Sequence, residues 1–256
     1  MNWVWALISI AFVGVLHGFI RHREVESRWG DLRSGVVFER ARKALLRLES
    51  EVHHPKNWRP VLMTFSGTGW TRPHLPFYGH WLTSGQGILS LAQVVTGDEG
   101  GESQKRLRYE RQLRNFISKE GLEAFPAVVC HKDFSSGMEA LLQCHGIGGL
   151  RTNTVLLGWP KHISKSEIFG NNLRLITRMN RSVIAARFLS QGETEESTSL
   201  WAVPQGTIDV WWRGMKNGEL MLLLAHLLHR NPGWRSNPIR VLRFVDNPHA
   251  IDDVKQ

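Results

Sequence analysis

Cysteine is nearly absent, with two residues in a chain of 256. A disulfide-stapled scaffold is thereby excluded. No collagen period, sustained heptad run or longer internal repeat is present, which removes fibrous and solenoid architectures. Phosphate-loop signatures are missing too. Gly67-x-Gly69 follows an apolar run, but no third glycine and no Gly-Lys-Ser/Thr follows it, so neither a dinucleotide fingerprint nor a Walker loop is met. Acidic residues are in deficit, 23 against 32 Lys and Arg, for a net charge of +9. Mean hydropathy is −0.24, which excludes a many-spanning membrane protein but leaves room for a single span. What remains is a chain that is 42% hydrophobic, enough for a sizeable core.

The apolar weight is uneven. Asn2–Ile20 is a run of 19 residues without a charge. As a helix it would measure about 28 Å, close to a hydrocarbon core of about 30 Å. Trp3 and Trp5 stand at one end, and Arg21, His22 and Arg23 at the other. We read residues 2–20 as a transmembrane helix. A signal peptide would want positive charge before the apolar run and small residues at a cleavage site. A buried soluble helix is the remaining alternative. If the segment spans, the positive-inside rule places Arg21 and all that follows in the cytoplasm, at a cell membrane crossed once. Residues 21–60 hold ten Lys/Arg and six Asp/Glu, so the basic excess is densest beside the membrane, where anionic lipid attracts it.

Residues 21–58 read as a juxtamembrane linker with an amphipathic helix from Ser34 to about Glu51. Val37, Ala41, Ala44, Leu48 and Val52 recur at helical spacing, and Glu39 and Lys43 form an i,i+4 pair. His53-His54-Pro55 ends it. The helix covers the following domain, acts as a lever between membrane and domain, or both.

Residues 59–256 read as an α/β domain. Strands are expected at Val61–Phe65, Ile88–Val95, Ala124–Cys130, Thr154–Gly158, Val183–Leu189, Ile208–Trp212 and Ile239–Val245. Helices are expected at Glu102–Lys119, Ser135–Cys144, Lys165–Asn180 and Leu220–Leu228, the last apolar all round and buried. Continuous apolar strands alternating with helices indicate a mostly parallel sheet covered on both faces.

Chemistry-bearing residues are few. Cys130-His131 and Cys144-His145 lack metal-ligand spacing and read as reduced core cysteines beside a polar histidine. His226 and His229 share a helix without a carboxylate partner motif. Asp209 sits in an apolar strand, so burial would require a hydrogen-bonded partner such as an arginine. Lys105, Arg106, Arg108, Arg111 and Arg114 fall around their helix and are diluted by Glu102, Glu110 and Glu120, which suits a solvated face. No catalytic, metal or cofactor residue is assigned, and the chain is not expected to be an enzyme or to bind nucleic acid.

Several strings carry a family likeness. Trp29-Gly30-Asp31, Lys56-Asn57-Trp58-Arg59-Pro60-Val61-Leu62 and Arg72-Pro73 come first. Ser135-Ser136-Gly137-Met138-Glu139-Ala140-Leu141-Leu142-Gln143 and the stretch from Gly146-Ile147-Gly148-Gly149 to Gly158 follow. Gly206-Thr207-Ile208-Asp209-Val210-Trp211-Trp212, Gly218-Glu219-Leu220, Trp234-Arg235 and Ile239-Arg240-Val241 complete the series. In order and spacing they resemble the C-terminal part of bacterial cation–chloride cotransporters, within the wider group of amino acid permease-like transporters. The resemblance implies that residues 2–20 are the last transmembrane helix of such a symporter. It implies that residues 59–256 are its cytoplasmic domain, of universal-stress-protein type and truncated relative to the family. The implied role is regulation and assembly of a secondary transporter, with a homodimer or the remainder of the transporter as partner, and no ion transport by this chain alone. The alternative it raises is a membrane-anchored nucleotide-binding sensor. The stress-protein phosphate loop is not met, because Gly158 is followed by Gly170 with no glycine between.

Overall fold

The computed structural model describes residues 3–22 (side chains to 18), 32–51, 57–67, 72–83, 85–97, 102–160, 162–188, 201–213 and 215–244. Two compact units divide the chain, Met1–Glu51 and Val52–Gln256.

The first unit holds helix α1, Trp3–His22, and helix α2, Leu32–Ser50. Among the described residues no helix is long and apolar enough to cross a membrane. The described side chains of α1 end at Gly18, which leaves about 24 Å of characterised apolar helix at about 1.5 Å per residue. Glu39 pairs with Lys43 at 3.5 Å, as its spacing predicts, and also with Arg42 at 2.9 Å.

The second unit is built on five parallel strands: β1 Val61–Phe65, β2 Ile88–Thr96, β3 Phe125–His131, β4 Thr154–Gly158 and β5 Ser182–Ala186. Their order is β3-β2-β1-β4-β5, and every pairing is parallel. Parallel neighbours need crossover helices, and these are α3 His74–Thr83, α4 Glu102–Lys119, α5 Phe134–Cys144 and α6 Ser166–Arg178. The sheet divides the core in two. On one face Leu62, Leu89, Leu91, Val128 and Leu156 pack against Leu75, Phe77 and Trp81 of α3 and Leu113 of α4. On the other face Met63, Phe65, Ala92, Ala127, Val155 and Leu157 meet Met138, Leu141 and Leu142 of α5 and Ile176 of α6. The period of two in β1 (Leu62 one way, Met63 and Phe65 the other) is the pleat itself. Asn153 locks the N-terminal edge: its Oδ1 accepts from the Val61 N–H at 3.0 Å and its Nδ2 donates to the Arg59 carbonyl at 2.7 Å.

Four expectations need correction. First, Ile208–Trp211 (β6) and Ile239–Leu242 (β7) do not extend the main sheet; they form a separate parallel pair. Helix α7, Met215–His229, joins them into a βαβ unit. Second, α7 is not buried all round, since Leu222 and Leu223 are each 37% exposed. Third, Asp209 is exposed, because its strand is open on that face. Fourth, Cys130 is half-buried and Cys144 exposed, so the pair does not belong to the core. The segments 189 and 245 onward, parts of two expected strands, lie outside the described residues. So do Trp29-Gly30-Asp31 and His53-His54-Pro55.

Candidate functional site

A doubly wound sheet opens a crevice where adjacent strands send their connections in opposite directions, at the C-terminal ends of the strands. Here that place lies between β1 and β4. The chain leaves β1 through Ser66 and Gly67, whose φ of +70° is natural only for glycine. It re-enters at Arg72-Pro73, with the Leu75 N–H donating to the Arg72 carbonyl at 3.1 Å to open α3. The half-buried Arg72 side chain turns across the gap, and its Nη1 donates to the Gly158 carbonyl at the end of β4, 3.0 Å away. Gly158 permits that approach, since a Cβ there would lie 2.2 Å from the same nitrogen.

Phe65 ends β1, Trp159 follows β4 and His74 opens α3, and each belongs to an aromatic pair. Phe65 meets Phe134 edge to face at 5.6 Å, Trp159 lies 5.3 Å from Phe169, and His74 sits 5.0 Å from Phe188. The Gly158 carbonyl is the hydrogen-bond partner of the Arg72 guanidinium. The switch point thus holds an arginine clamped between the loop after β1 and the end of β4. Gly170 lies inside α6, so no glycine turn links β4 to that helix. Gly69 lies outside the described residues.

The other candidates are scattered. Cys130 and His131 end β3, while Cys144 and His145 close α5, so the length of that helix separates the two pairs. His145 bonds through Nε2 to Ser90 Oγ at 2.8 Å, and burial pushes its pKa down. His226 is exposed, whereas His229 Nδ1 contacts the Asn237 carbonyl at 3.1 Å. Among the described residues no group of three or more His, Cys, Asp or Glu could hold a metal. Asp209 does hold an arginine, as its position in the strand suggests. Its two oxygens accept from Arg240 Nε and Nη2 at 2.8 and 2.7 Å, across directly paired positions of β6 and β7. That hydrogen-bonded guanidinium, with help from Thr207, holds the Asp209 carboxyl at about 2. The basic residues of α4 are exposed, and Glu110 ties Arg106 and Arg114 at 2.9 and 2.8 Å. Arg72 is the one site residue that residue-by-residue reading did not single out. Its signal was an arginine before proline, downstream of a glycine turn that leaves an apolar strand.

Residues 72–169 match the family model of solute carrier family 12. The matched stretch begins at Arg72 and ends at Phe169 in α6. It takes in Arg72-Pro73, Ser135–Gln143 and Gly146–Gly158, and leaves the other resembling strings outside. Among solved structures, the crystal structure of the cytoplasmic domain of a prokaryotic cation chloride cotransporter is similar, at 15% identity and a TM-score of 0.49. That alignment covers 75% of this chain and 69% of the other.

Proposed function

We propose that this chain, related to solute carrier family 12 through residues 72–169, is a membrane-tethered regulatory and assembly domain of a cation–chloride cotransporter-like secondary transporter. The observation that carries the reading is where the family match falls. It lies wholly within the α/β unit, from the start of α3 into α6, and does not reach α1 or α2. What the chain shares with the transporters is thus a soluble-type fold. The ion path of such a symporter would have to come from other helices, so this chain alone is neither an enzyme nor a transporter.

The tether is α1. Its exposed apolar side chains, Ile10 at 69% and Val15 at 71% among them, make a poor water-facing surface. The charge-free run 2–20 followed by Arg21 favours a single span with the α/β unit in the cytoplasm. The partner is the remainder of the transporter, a second copy of this chain, or both.

Reconstituted alone into liposomes, the chain should move no chloride, potassium or sodium above empty vesicles. Gradient-driven uptake by the chain alone would overturn the reading. Protease added to intact cells should leave the α/β unit uncut, and cleavage from outside would reverse the topology.

A further inference from the structure

Within its own unit, helix α2 carries an apolar stripe that no described residue covers. Val37 is 64% exposed and Phe38 70%, and Ala41 and Ala44 are exposed with them. Leu45 and Leu48 continue the stripe and are half-buried. At 100° per residue these six fall within about a third of the helix circumference. Arg40, Lys43 and Arg47, at i, i+3 and i+7, form one flank of it, exposed ion pairs tying Lys43 to Glu39 at 3.5 Å and Arg47 to Glu51 at 3.7 Å. Leu32–Ser50 contains five Lys/Arg against Glu39 and Glu49.

We propose that α2 lies in the headgroup layer of an anionic bilayer, with Val37, Phe38 and Leu48 turned into the acyl boundary and Arg40, Lys43 and Arg47 among lipid phosphates. Three observations choose this occupant. The charge of the flank is complementary to anionic lipid, and basic residues beside an apolar face are the mark of interfacial helices. Residues 23–31 alone separate α2 from α1, and nine residues reach no further than about 30 Å. A second copy is a worse fit. The heptad seam Val37, Ala41, Ala44, Leu48 has alanine at half its positions and spans two heptads, and it leaves Phe38 and Leu45 at its margin. A lipid surface covers all six. The proposal goes beyond the single span, because α2 would carry its own, composition-dependent membrane affinity.

The test uses the full chain with Cys130→Ser and Cys144→Ser, a nitroxide at Phe38→Cys or Lys43→Cys, and vesicles of phosphatidylcholine with or without phosphatidylserine. With the anionic lipid, the label at 38 should be open to oxygen and shielded from a soluble nickel chelate, and the label at 43 the reverse. Reversing Arg40, Lys43 and Arg47 to Glu should return the label at 38 to water, each site costing about fivefold in the lipid-bound population. A label at 38 exposed to nickel in anionic vesicles overturns the proposal. So does a label closed to both relaxers, which means burial in protein, or spin–spin broadening between copies, which means a helix pair. A label at Ile10→Cys reports separately on the span. If that label is aqueous the tether reading fails, while α2 is still judged by its own label. Should the cysteine-free chain misfold, amide exchange of unmodified α2 decides between the same outcomes: protection with phosphatidylserine and none without it supports the proposal, and equal exchange refutes it.

Discussion

Replacing Asn231 with Ala should be the most damaging conservative change in the α/β unit that alters no packing volume larger than an amide. Asn231 is buried, and its Nδ2 lies 3.0 Å from the Trp81 carbonyl, 2.9 Å from that of Leu227 and 3.0 Å from that of Leu228. Leu227 and Leu228 are in the last turn of α7, where the Leu228 carbonyl also accepts from the Asn231 N–H at 3.0 Å, and Trp81 is in the last turn of α3. One side chain thus caps one helix and staples it to another. An amide nitrogen has two hydrogens, so two full bonds are formed and one is shared. Two such bonds contribute about 1 kcal/mol each, and a carbonyl left dry adds about 1–3 kcal/mol. The two α7 carbonyls regain some water when the cap is lost, so the expected loss is about 2–4 kcal/mol. For a unit of this size that is a fall in Tm of about 4–15 °C. Near-UV circular dichroism of the full chain reads it directly, because Trp81 and Trp234 pack edge to face at 5.3 Å. Asn231→Asp should be worse, since it removes both donors and points a carboxylate at three carbonyls. A shift under about 2 °C for Asn231→Ala, with Asn231→Asp no worse, would refute the capping argument.

Other expectations follow from the same geometry. Gly158→Ala and Arg72→Ala remove one bond by two routes, so the double variant should unfold no more easily than the worse single one; additive losses in denaturant midpoints would separate them. Gly137→Ala sets a Cβ 2.4 Å from Val94 Cγ1 and should lift α5 from the sheet at a cost of about 1–3 kcal/mol, and an unchanged urea midpoint would contradict this. His145 has a depressed pKa in the folded state, so the unfolded chain takes up its proton first. Stability should therefore fall as pH drops through about 6.5, and His145→Gln should reduce that slope, the rest coming from His80, whose pKa burial also lowers; an unaltered slope would remove His145 as a cause. Val241 and Phe244 are 56% and 78% exposed at the open edge of β7, and Val241→Lys should weaken self-association in sedimentation if that edge pairs with a second copy.

The strands β1, β2 and β4 are legible because they are buried on both faces. Leu62 and Leu156 meet one core cluster, Met63 and Val155 the other, and such a strand reads as an unbroken apolar run. The helices α4, α5 and α6 were legible because each keeps a wet side. Asp133 marks the start of α5, accepting from the Ser136 N–H at 2.9 Å. The crevice was not legible. Arg72 and Gly158 are far apart in the chain, and only the strand order that sets β4 beside β1 brings them together. Asp209 shows how a correct chemical inference survives a wrong placement. An arginine was expected because a buried carboxylate needs one, yet the pair forms on an open face, set by the register that puts Asp209 opposite Arg240.

The sequence pattern hides α3 and points β6 and β7 to the main sheet for a single physical reason. α3 carries Pro76 in its first turn, where a missing N–H costs nothing, and Gly79 against β1, where a Cβ would lie 2.8 Å from Thr64 Oγ1. Both residues read as breakers. Leu75, Phe77, Trp81 and Leu82 are all buried, so no polar stripe marks a solvent face. A helix on one side of a sheet ordinarily has such a stripe. α3 lacks it because a second layer covers it: Tyr78 and Trp81 meet Trp234 at 5.9 and 5.3 Å, Phe77 meets Trp201 at 4.7 Å, and Asn231 joins α3 to α7. That second layer is the β6–α7–β7 unit. Its strands pair with each other because α7 is spent on α3 rather than on a face of the main sheet. The aromatic weight of residues 77–81, 201 and 234 is the sequence's record of that extra layer. Breaking it at Trp234→Ala should therefore release α7 and the β6–β7 pair together while leaving amide protection of β1 and β4 in place. Simultaneous loss of protection in all four strands would show instead that the second layer and the main sheet fold as one unit.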